Sequence, residues 1–408
     1  MKIKVGVIFG GESVEHEVSI ISAVQAMYKM DSNKYDIIPI YITKKGEWYT
    51  GEMLKDMETY QDMDLLKRYA KNVVLYRKDG LFVLQNKKGF KTVINTLDIA
   101  FPIVHGTNVE DGTLQGYLQS IGIPYVGSNV YASAVGQDKV FMKQIFAGEE
   151  LPIKKYVWFY DKEYELDSEE VLSKINKLKY PVIIKPATLG SSVGINKAKD
   201  EEELIKGIEE AIIYDEKIVV EEMVEDLTEV NISVLGNYQS QELSEIEEVI
   251  PTKDILTYED KYIGDGKLKG KMKTPYKGAV KGSKGMLSAN RRIPANISDK
   301  LKKEVEEVAV KAFKALGSSG VCRIDFLVDH KAKKVYINEI NSCPGSLACY
   351  LWEEKGKDYT ELLEDMINIG VKDYRRRIGK THSFDTNILK GYVGMKGSKA
   401  LRGAKKFK

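Results

Sequence analysis

The sequence has few cysteines, little proline and no long apolar run. Its three cysteines, Cys322, Cys343 and Cys349, form an odd number with no C-x-x-C pair, which argues against a disulfide framework or a zinc finger. The 34 glycines and 10 prolines are too few for a low-complexity or collagen-like chain of 408 residues. No apolar run approaches the ~18–20 residues that span a bilayer, and the amino-terminal stretch Val5–Phe9 is too short for a signal peptide. We therefore expect a cytoplasmic protein with reduced cysteines and no membrane partner.

A hydrophobic fraction of 43% over 408 residues predicts two to four packed domains. The net charge of +2 hides a local asymmetry, because residues 261–292 carry ten Lys/Arg against one acid and residues 387–408 carry seven against none. Such segments either bind anions or are solvated. They contain no nucleic-acid-binding module, which argues against a nucleic-acid partner. The Gly/Lys-rich carboxyl terminus is predicted to be a mobile tail.

Strand and helix signals alternate in the first third of the chain. Apolar strands are predicted at 2–9, 35–43 and 98–104, with helices at 17–30 and 113–120. This alternation predicts a parallel sheet whose ligands bind beyond the carboxyl ends of the strands. Later segments predict one long helix at 130–148, an amphipathic helix at 298–316 and a last helix near 359–375.

The sharpest signal is a predicted hairpin made of RIDFLVD, the turn HKAKK and VYINEIN. If the hairpin is centred near Ala332, Asp325 lies opposite Glu339 and Arg323 lies opposite Asn341. All four side chains then share one face of the hairpin. Two carboxylates and an amide oxygen are suitable ligands for a hard divalent cation. The alternative is a solvated edge with a surface Arg–Asp pair.

Two Gly-rich segments are candidates for ligand binding. In KPATLGSSVG, which starts at Lys185, small residues between apolar strands allow backbone N–H groups to approach an anion, although a plain turn is also compatible. In GGESVEHEVS, Glu15 could bind a substrate ammonium, or Glu15 and Glu17 could favour the positive end of the following helix. His105, in HGTNVEDG, is either structural or catalytic.

Taken together and in this order, these segments resemble the D-alanine–D-alanine ligases of the ATP-grasp superfamily. The resemblance runs from residue 1 to about 372 and rests on GGESVEHEVS, the His105 loop, QDK, KPATLGSSVG, VVEEMV, YEDKY, RIDF and NEINSCPG. It implies a mixed α/β and α+β protein, with an open parallel α/β substrate-binding domain at 1–128. A two-lobed ATP-grasp domain follows, with lobes at 129–225 and 226–375, a basic lid at 261–292 and a basic tail at 376–408.

The family couples two D-alanines with ATP through an acyl phosphate, for peptidoglycan synthesis. The resemblance implies that Lys139 and Lys185 hold ATP phosphates, that Glu229 binds ribose and that Lys261 reaches the transferred phosphoryl group. The other implied ATP contacts are Ser192, Glu221, Glu222 and Val224. The implied ligands of two Mg²⁺ (or Mn²⁺) ions are Asp325, Glu339 and Asn341.

The implied catalytic residues are Glu15, Ser191, Tyr262 and Arg323. Glu15 would bind the first ammonium in a hydrogen-bonded triad with Ser191 and Tyr262, and Arg323 would stabilise the oxyanion. His105, Gly345 and Tyr350 are the other implied substrate contacts. Members of the family are commonly dimeric, which makes a homodimer an expectation.

The chain departs from the family pattern at three places. Tyr350 stands where the family has a serine that holds the acceptor carboxylate, the lid 261–292 is unusually long and basic, and the loop after His105 lacks a further glycine. The first two departures raise the alternative of a different acceptor amino acid or peptide. Relatives that make D-alanyl-D-lactate lack Tyr262, which argues against a hydroxy-acid acceptor. A nucleotide-dependent scaffold that recruits an anionic polymer is a third hypothesis, and the full set of metal and phosphate residues argues against it.

Overall fold

The amino-terminal sheet is parallel at one end and antiparallel over the rest. The computed structural model describes residues 2–250 and 290–387. Strand β1 (Ile3–Gly10) lies between β2 (Tyr35–Ile42) and β7 (Ile99–Pro102), and both pairings are parallel, as predicted. Four strands that were not predicted extend the sheet from β2 in antiparallel pairings: β3 (Trp48–Thr50), β4 (Lys71–Lys78), β5 (Leu81–Asn86) and β6 (Val93–Leu97).

Helices cover this sheet and connect it to the carboxyl-terminal part of the chain. The helices within the sheet's own segment are α1 (His16–Lys29), α2 (Met63–Tyr69) and α3 (Thr113–Ile121). The residues at 20, 23, 24 and 27 of α1 are buried at helical spacing in one core with the β1 side chains of Val5, Val7 and Phe9. The last helix of the described residues, Tyr359–Ile378, adds residues 362, 363, 366 and 367 to the same core. The amino-terminal sheet and the last helix are therefore packed together.

The predicted helix at 130–148 is two helices. The helix α4 (Val130–Gln137) ends at Asp138, whose extended backbone interrupts the helical hydrogen bonding before α5 (Lys139–Gly148) begins. The Asp138 carboxylate accepts hydrogen bonds from the N–H groups of Val140 (2.8 Å) and Phe141 (3.1 Å). Because a carboxylate at this position satisfies the free N–H groups of a helix start, Asp138 begins a new helix rather than continuing the first. The prediction of one continuous helix was wrong.

The second sheet is antiparallel and follows the order β10-β9-β11-β8. Its strands are β8 (Tyr156–Tyr160), β9 (Val182–Pro186), β10 (Asn196–Ala198) and β11 (Lys217–Glu222). The helices of this segment are α6 (Asp161–Leu166), α7 (Ser168–Ile175) and α8 (Glu201–Ile212). Apolar side chains of α7 and α8 share one core with β9 and β11. The Gly-rich segment that starts at Lys185 connects β9 to β10, as the sequence predicted.

The third sheet follows the order β14-β13-β12-β15-β16. Its strands are β12 (Leu227–Gly236), β13 (Gln241–Ile250), β14 (Asn290–Arg292), β15 (Gly320–Asp329) and β16 (Lys334–Asn341). The helices of this segment are α9 (Asp299–Ala315), α10 (Cys349–Glu353) and α11 (Tyr359–Ile378). Even-numbered residues of β12 and β15, such as Ile232 and Phe326, are fully buried in one core with Val305 and Phe313 of α9. The odd-numbered residues therefore face away from α9.

The predicted hairpin register is confirmed where the polar side chains lie. Asp325 pairs with Glu339, and Arg323 pairs with Asn341. The register shifts by one residue beyond Asp325, because Asn338 is an extra residue opposite β15. This bulge keeps Ile337 in the apolar core while Glu339 faces the opposite side.

Part of the predicted lid and tail lies outside the described residues. Of the lid at 261–292, only β14 is described, and of the tail at 376–408, residues 376–378 complete α11. Lys261 and Tyr262 are therefore not described. The domain boundaries predicted at 128, 225 and 375 stay predictions. In the described ranges, no helix is both long enough and apolar enough to cross a membrane.

Candidate active site

The polar face of the third sheet is organised in rows that cross its strands. Strand pairing places Glu247 opposite Asn231, Asn231 opposite Asp325, and Asp325 opposite Glu339. The row on one side contains Arg323 and its partner residues, and the row on the other side contains residues 291, 249, 229 and 327. Most of these side chains line a cavity of about 250 Å³ between the second and third sheets. The sheet therefore presents carboxylates, amides and guanidinium groups on one surface.

The three predicted metal ligands lie side by side on this surface. The Asn341 side-chain amide donates to Asp325 Oδ2 (3.2 Å), and Glu339 is the cross-strand neighbour of Asp325. The Arg323 guanidinium donates to both Asp325 oxygens, at 2.7 and 2.8 Å. Burial raises the pKa of Asp325, an effect that Arg323 opposes and the nearby carboxylates reinforce.

The donor set fits a hard divalent cation. Asp325, Glu339 and Asn341 supply two carboxylates and one amide oxygen, and adjacent buried carboxylates repel unless a cation lies between them. Among residues 2–250 and 290–387, no cluster of three or more His, Cys, Asp and Glu side chains could hold a metal. A metal at this place would therefore need the Asn341 oxygen as its third protein ligand.

Two buried lysines lie near the predicted metal ligands. Lys139 Nζ donates to the Leu189 carbonyl (2.7 Å) and lies 3.6 Å from Glu339 Oε2. Lys185 Nζ donates to the side-chain carbonyl of Asn338 (3.0 Å). Because both lysines line the larger cavity, they bring two cations within reach of one bound anion.

Glu221 forms the charge centre beneath Lys185. Its carboxylate lies 3.1 Å from Lys143 Nζ and 3.4 Å from Lys185 Nζ, and all three side chains are buried. Although burial opposes ionisation, the two lysines lower the pKa of Glu221 to about 2. Burial lowers the pKa of Lys143. Glu221 is therefore ionised at neutral pH and holds Lys185 at the cavity wall.

The β9–β10 loop joins the larger cavity to a smaller one. Ser191, Ser192 and Gly194 all have positive φ (54°, 60° and 69°), which turns the loop tightly. Ser191 Oγ donates to Glu15 Oε1. A Cβ atom at Gly190 would lie 3.0 Å from Glu15 Oε2, so a side chain at this point would crowd the Glu15 carboxylate. The contact links the loop to the amino-terminal segment that follows β1.

The smaller cavity, of about 70 Å³, has a polar lining that includes Glu15, His105, Arg323 and Gly345. His105 is buried, and its ring contacts Ser22 Oγ (3.0 Å) and the Cys343 carbonyl (2.7 Å). Burial lowers the pKa of His105, which keeps the ring neutral. The lining of the cavity thus combines the carboxylates of Glu15, Glu110 and Glu339 with the Arg323 guanidinium and a neutral imidazole.

The chain was compared with known proteins. The family model described as D-ala D-ala ligase N-terminus matches residues 4–128. The model described as D-ala D-ala ligase C-terminus matches residues 145–284 and 275–368. A D-alanine–D-alanine ligase from Thermosipho melanesiensis is 38% identical over 396 residues, 96% of this chain and 99% of the relative. One from Thermoanaerobacter sp. (strain X514) is 39% identical over 383 residues, 92% and 98% of the two chains.

Solved structures show the same relationship. The D-alanine–D-alanine ligase from Coxiella burnetii is similar with a TM-score of 0.76 and 27% identity, over 93% of this chain and 96% of that chain. The VanG D-Ala:D-Ser ligase from Enterococcus faecalis is similar with a TM-score of 0.74 and 29% identity, over 91% and 100%. The chain belongs to the D-alanine–D-alanine ligase family. It is therefore an ATP-dependent ligase with an ATP-grasp fold.

Most site residues carried over from the D-alanine–D-alanine ligases line the two cavities. The larger cavity contains Lys139, Lys185, Ser191, Ser192, Glu221, Glu222, Val224, Glu229, Arg323, Asp325 and Glu339, and the smaller one contains Glu15, His105, Asn341 and Gly345. Lys139, Ser191, Arg323 and Glu339 line both cavities, so the two spaces meet at these residues.

Tyr350 is the described exception. It lines neither of these two cavities, and its hydroxyl donates to Glu247 Oε1 (2.8 Å). The Arg291 guanidinium lies 4.4 Å from the centre of the Tyr350 ring. Burial and the Glu247 carboxylate raise the pKa of Tyr350, so the phenol stays protonated and keeps donating to Glu247.

Four charged residues at the cavities were not predicted from the sequence: Glu110, Lys143, Glu247 and Arg291. Glu110 accepts hydrogen bonds from Gly106 N (3.0 Å), Ser342 Oγ (3.1 Å) and Cys343 N (3.0 Å), and so connects two loops of the smaller cavity. Burial, reinforced by Glu15, raises the pKa of Glu110 to about 7. Only Glu110 had a sequence signal, since it lies in HGTNVEDG.

Proposed function

We propose that this protein joins two D-alanines to D-alanyl-D-alanine, with conversion of ATP to ADP and phosphate. The observation that carries the proposal is the junction of the two cavities. Lys139, Glu339 and Arg323 line both cavities at this junction, and Lys185 and Asp325 line the larger cavity beside it. A nucleotide phosphate and an amino-acid carboxylate would meet there.

The larger cavity would hold ATP. Lys139 and Lys185 would bind its phosphates in place of their present contacts with Leu189 and Asn338. The Gly-Ser loop around Ser192 would supply backbone N–H groups. Glu222 and Val224 would line the adenine site with Glu221, Glu229 would bind ribose, and Lys261, outside the described residues, would reach the transferred phosphoryl group.

Asp325, Glu339 and Asn341 would hold two Mg²⁺ or Mn²⁺ ions. Bound there, the ions would neutralise charge on the phosphate oxygens. The Arg323–Asp325 contact orients both side chains, because the two parallel hydrogen bonds fix the guanidinium plane. Arg323 also borders the smaller cavity, where it would stabilise the oxyanion of the tetrahedral intermediate.

The smaller cavity would hold the first D-alanine. Glu15 would bind its ammonium, and the Ser191 contact would keep the Glu15 carboxylate in place; Tyr262 would complete this triad from outside the described residues. Neutral His105 would border the amino acid without adding a charge. The carboxylate of the first D-alanine would then point towards Arg323 and the backbone N–H of Gly345.

The reaction follows from these positions. A carboxylate oxygen of the first D-alanine attacks the terminal phosphorus of ATP, and the bond to ADP breaks, which leaves an acyl phosphate. The free amine of the second D-alanine attacks the acyl carbon, loses a proton, and the carbon–oxygen bond to phosphate breaks. The protein would act mainly by positioning and charge stabilisation.

The test is ADP release by the purified full chain. We expect it to require ATP, a divalent cation and D-alanine together, with D-alanyl-D-alanine identified by mass. An ATP turnover that D-alanine does not stimulate would refute the proposal. A different acceptor is not favoured, because relatives named D-alanine–D-alanine ligase match nearly the whole chain. We further propose that the enzyme is cytoplasmic, dimeric and supplies peptidoglycan synthesis.

A further inference from the structure

The second amino acid brings a carboxylate as well as its attacking amine. Under the proposed function, on which this inference rests, that carboxylate enters a surface that already holds phosphates and an acidic row of side chains. A carboxylate in such a place needs a cation that is not committed to the phosphates or to a metal ligand. The described part of the chain has five cationic side chains of Lys or Arg type along the two cavities: Lys139, Lys185, Lys197, Arg291 and Arg323.

Four of these cations either lie against a carboxylate of the site or lie on the opposite side of the cavity. Arg323 is held by both oxygens of Asp325, and Lys139 and Lys185 lie against Glu339 and Glu221. Lys197 is on β10 of the second sheet, across the cavity. Arg291 is on the third sheet, in the row next to the acidic row.

Arg291 is held by weak contacts on two sides. Its guanidinium lies 4.4 Å from the centre of the Tyr350 ring, a cation–π distance. Its Nη1 lies 3.5 Å from Glu247 Oε2, beyond the ~2.7–2.9 Å of a charge-assisted hydrogen bond. Within the described residues, Glu247 Oε2 is buried and accepts no hydrogen bond. The Arg291 side chain keeps 20% of its surface exposed, against 3% for Glu247.

The contacts of Glu247 explain why Tyr350 cannot serve as the anion site. Glu247 Oε1 accepts from the Tyr350 hydroxyl (2.8 Å) and from the Asn231 amide (2.9 Å). The only O–H donor of Tyr350 is therefore used within the protein. The face of the Tyr350 ring instead contacts the Arg291 guanidinium, which lies at the wall of the larger cavity.

We propose that Arg291 binds the carboxylate of the acceptor D-alanine, and that Tyr350 and Glu247 are positioning residues for its guanidinium. The planar fork of two N–H donors suits a carboxylate. Arg291 lines the larger cavity together with Arg323 and Asp325, so an acceptor bound by Arg291 would share this cavity with the acyl phosphate.

The test compares Arg291→Gln with the unchanged full-length protein. Rates of ADP formation against D-alanine concentration give separate Michaelis constants for the first and second D-alanine. We expect the second constant to rise about 10- to 100-fold, as for loss of a charge-assisted contact. The constants for ATP and for the first D-alanine should change about twofold at most, and thermal melting should show an intact fold.

A neutral acceptor provides the sharper readout. D-alaninamide keeps the attacking amine but has no carboxylate, so it can act only as acceptor. The unchanged protein should prefer D-alanine over D-alaninamide by about 10- to 100-fold, and Arg291→Gln should lose this preference. Arg292→Gln is the matched control, because Arg292 pairs with Glu248 (3.1 Å) and half of its side chain is exposed.

Three results would overturn the inference. In the first, Arg291→Gln still prefers D-alanine over D-alaninamide. In the second, Arg291→Gln raises only the Michaelis constant for ATP. In the third, Tyr350→Phe loses the preference for D-alanine while Arg291→Gln keeps it. The last result would assign the carboxylate to the phenol. If the unchanged protein makes ADP and dipeptide normally in these cases, the proposed function stands. If it makes neither, the proposed function falls and the inference falls with it.

Discussion

Replacement of Glu221 by Gln tests the charge centre beneath Lys185. Glutamine keeps the shape of the side chain but removes the charge that faces Lys143 and Lys185. In the folded protein the pKa of Glu221 is lowered from 4.5 to about 2. At about 1.4 kcal/mol for each pH unit between these values, the ionised carboxylate stabilises the fold by about 3 kcal/mol. We expect Glu221→Gln to lower the free energy of unfolding at pH 7 by about this amount.

The pH dependence of this loss identifies its cause. Because the pKa of Glu221 is lower in the folded than in the unfolded chain, its stabilisation is complete above pH 4.5 and disappears as the pH falls towards 2. The difference between the two proteins should therefore be constant from pH 7 to about 5.5 and shrink below 4.5. Urea unfolding followed by circular dichroism at a series of pH values measures it.

The matched control is Glu222→Gln. Glu222 is the next residue, and its nearest cation, Lys154 Nζ, is 3.8 Å away. This separation is longer than either lysine contact of Glu221, and glutamine can still accept the hydrogen bond from Lys179 N (3.1 Å), so Glu222→Gln should lower the free energy of unfolding by less than Glu221→Gln does. Two results would refute a stabilising charge at Glu221. In one, Glu221→Gln lowers the free energy of unfolding at pH 7 by no more than Glu222→Gln does. In the other, Glu221→Gln lowers it by the same amount at pH 3 as at pH 7.

Three further substitutions test other parts of the site. Glu339→Gln weakens a metal ligand without adding volume, so turnover at limiting Mg²⁺ should fall at least about 100-fold with unchanged melting, and normal turnover would contradict the assignment. Because the pKa of Glu110 is raised to about 7, Glu110→Gln should gain stability relative to the unchanged protein as the pH rises from 4.5 to 7. Urea unfolding measures this, and a difference that does not change with pH would contradict it. Gly190→Ala crowds Glu15 at 3.0 Å and should raise the Michaelis constant of the first D-alanine, whereas Gly148→Ala, with no atom within 4 Å, should not.

The sequence predicted the metal-site geometry because a hairpin has little freedom. Once the turn is placed near Ala332, the period of two residues determines which side chains share a face, and the pairing of Asp325 with Glu339 followed. The bulge at Asn338 was not predictable from the pattern, because it changes the register only on the turn side of the acidic pair. The predicted parallel strands at the amino terminus were likewise confirmed, since buried parallel strands are continuous apolar runs.

The features that were missed depend on contacts between distant segments. Lys143 has an ordinary helical context, and only the packing of α5 against β11 brings it to Glu221. Arg291 and Tyr350 are 59 positions apart and meet because β14 is added at the edge of the third sheet. The break at Asp138 was missed for a local reason, because an aspartate between two helical patterns was interpreted as part of one helix although it caps the second.

The contacts of the lysines indicate why nucleotide and metal should bind together. Lys139 lies 3.6 Å from Glu339, and Lys185 donates to Asn338 on the same strand. A phosphate alone would draw the lysines away and leave Glu339 and Asp325 as neighbouring half-buried carboxylates. A cation alone would bind Glu339 and leave Lys139 without its carboxylate. When magnesium and ATP bind together, the phosphates give the lysines new partners and the metal gives Glu339 a new partner. We therefore expect ATP to bind at least about tenfold more weakly without Mg²⁺ in calorimetry, and equal affinities would refute this coupling.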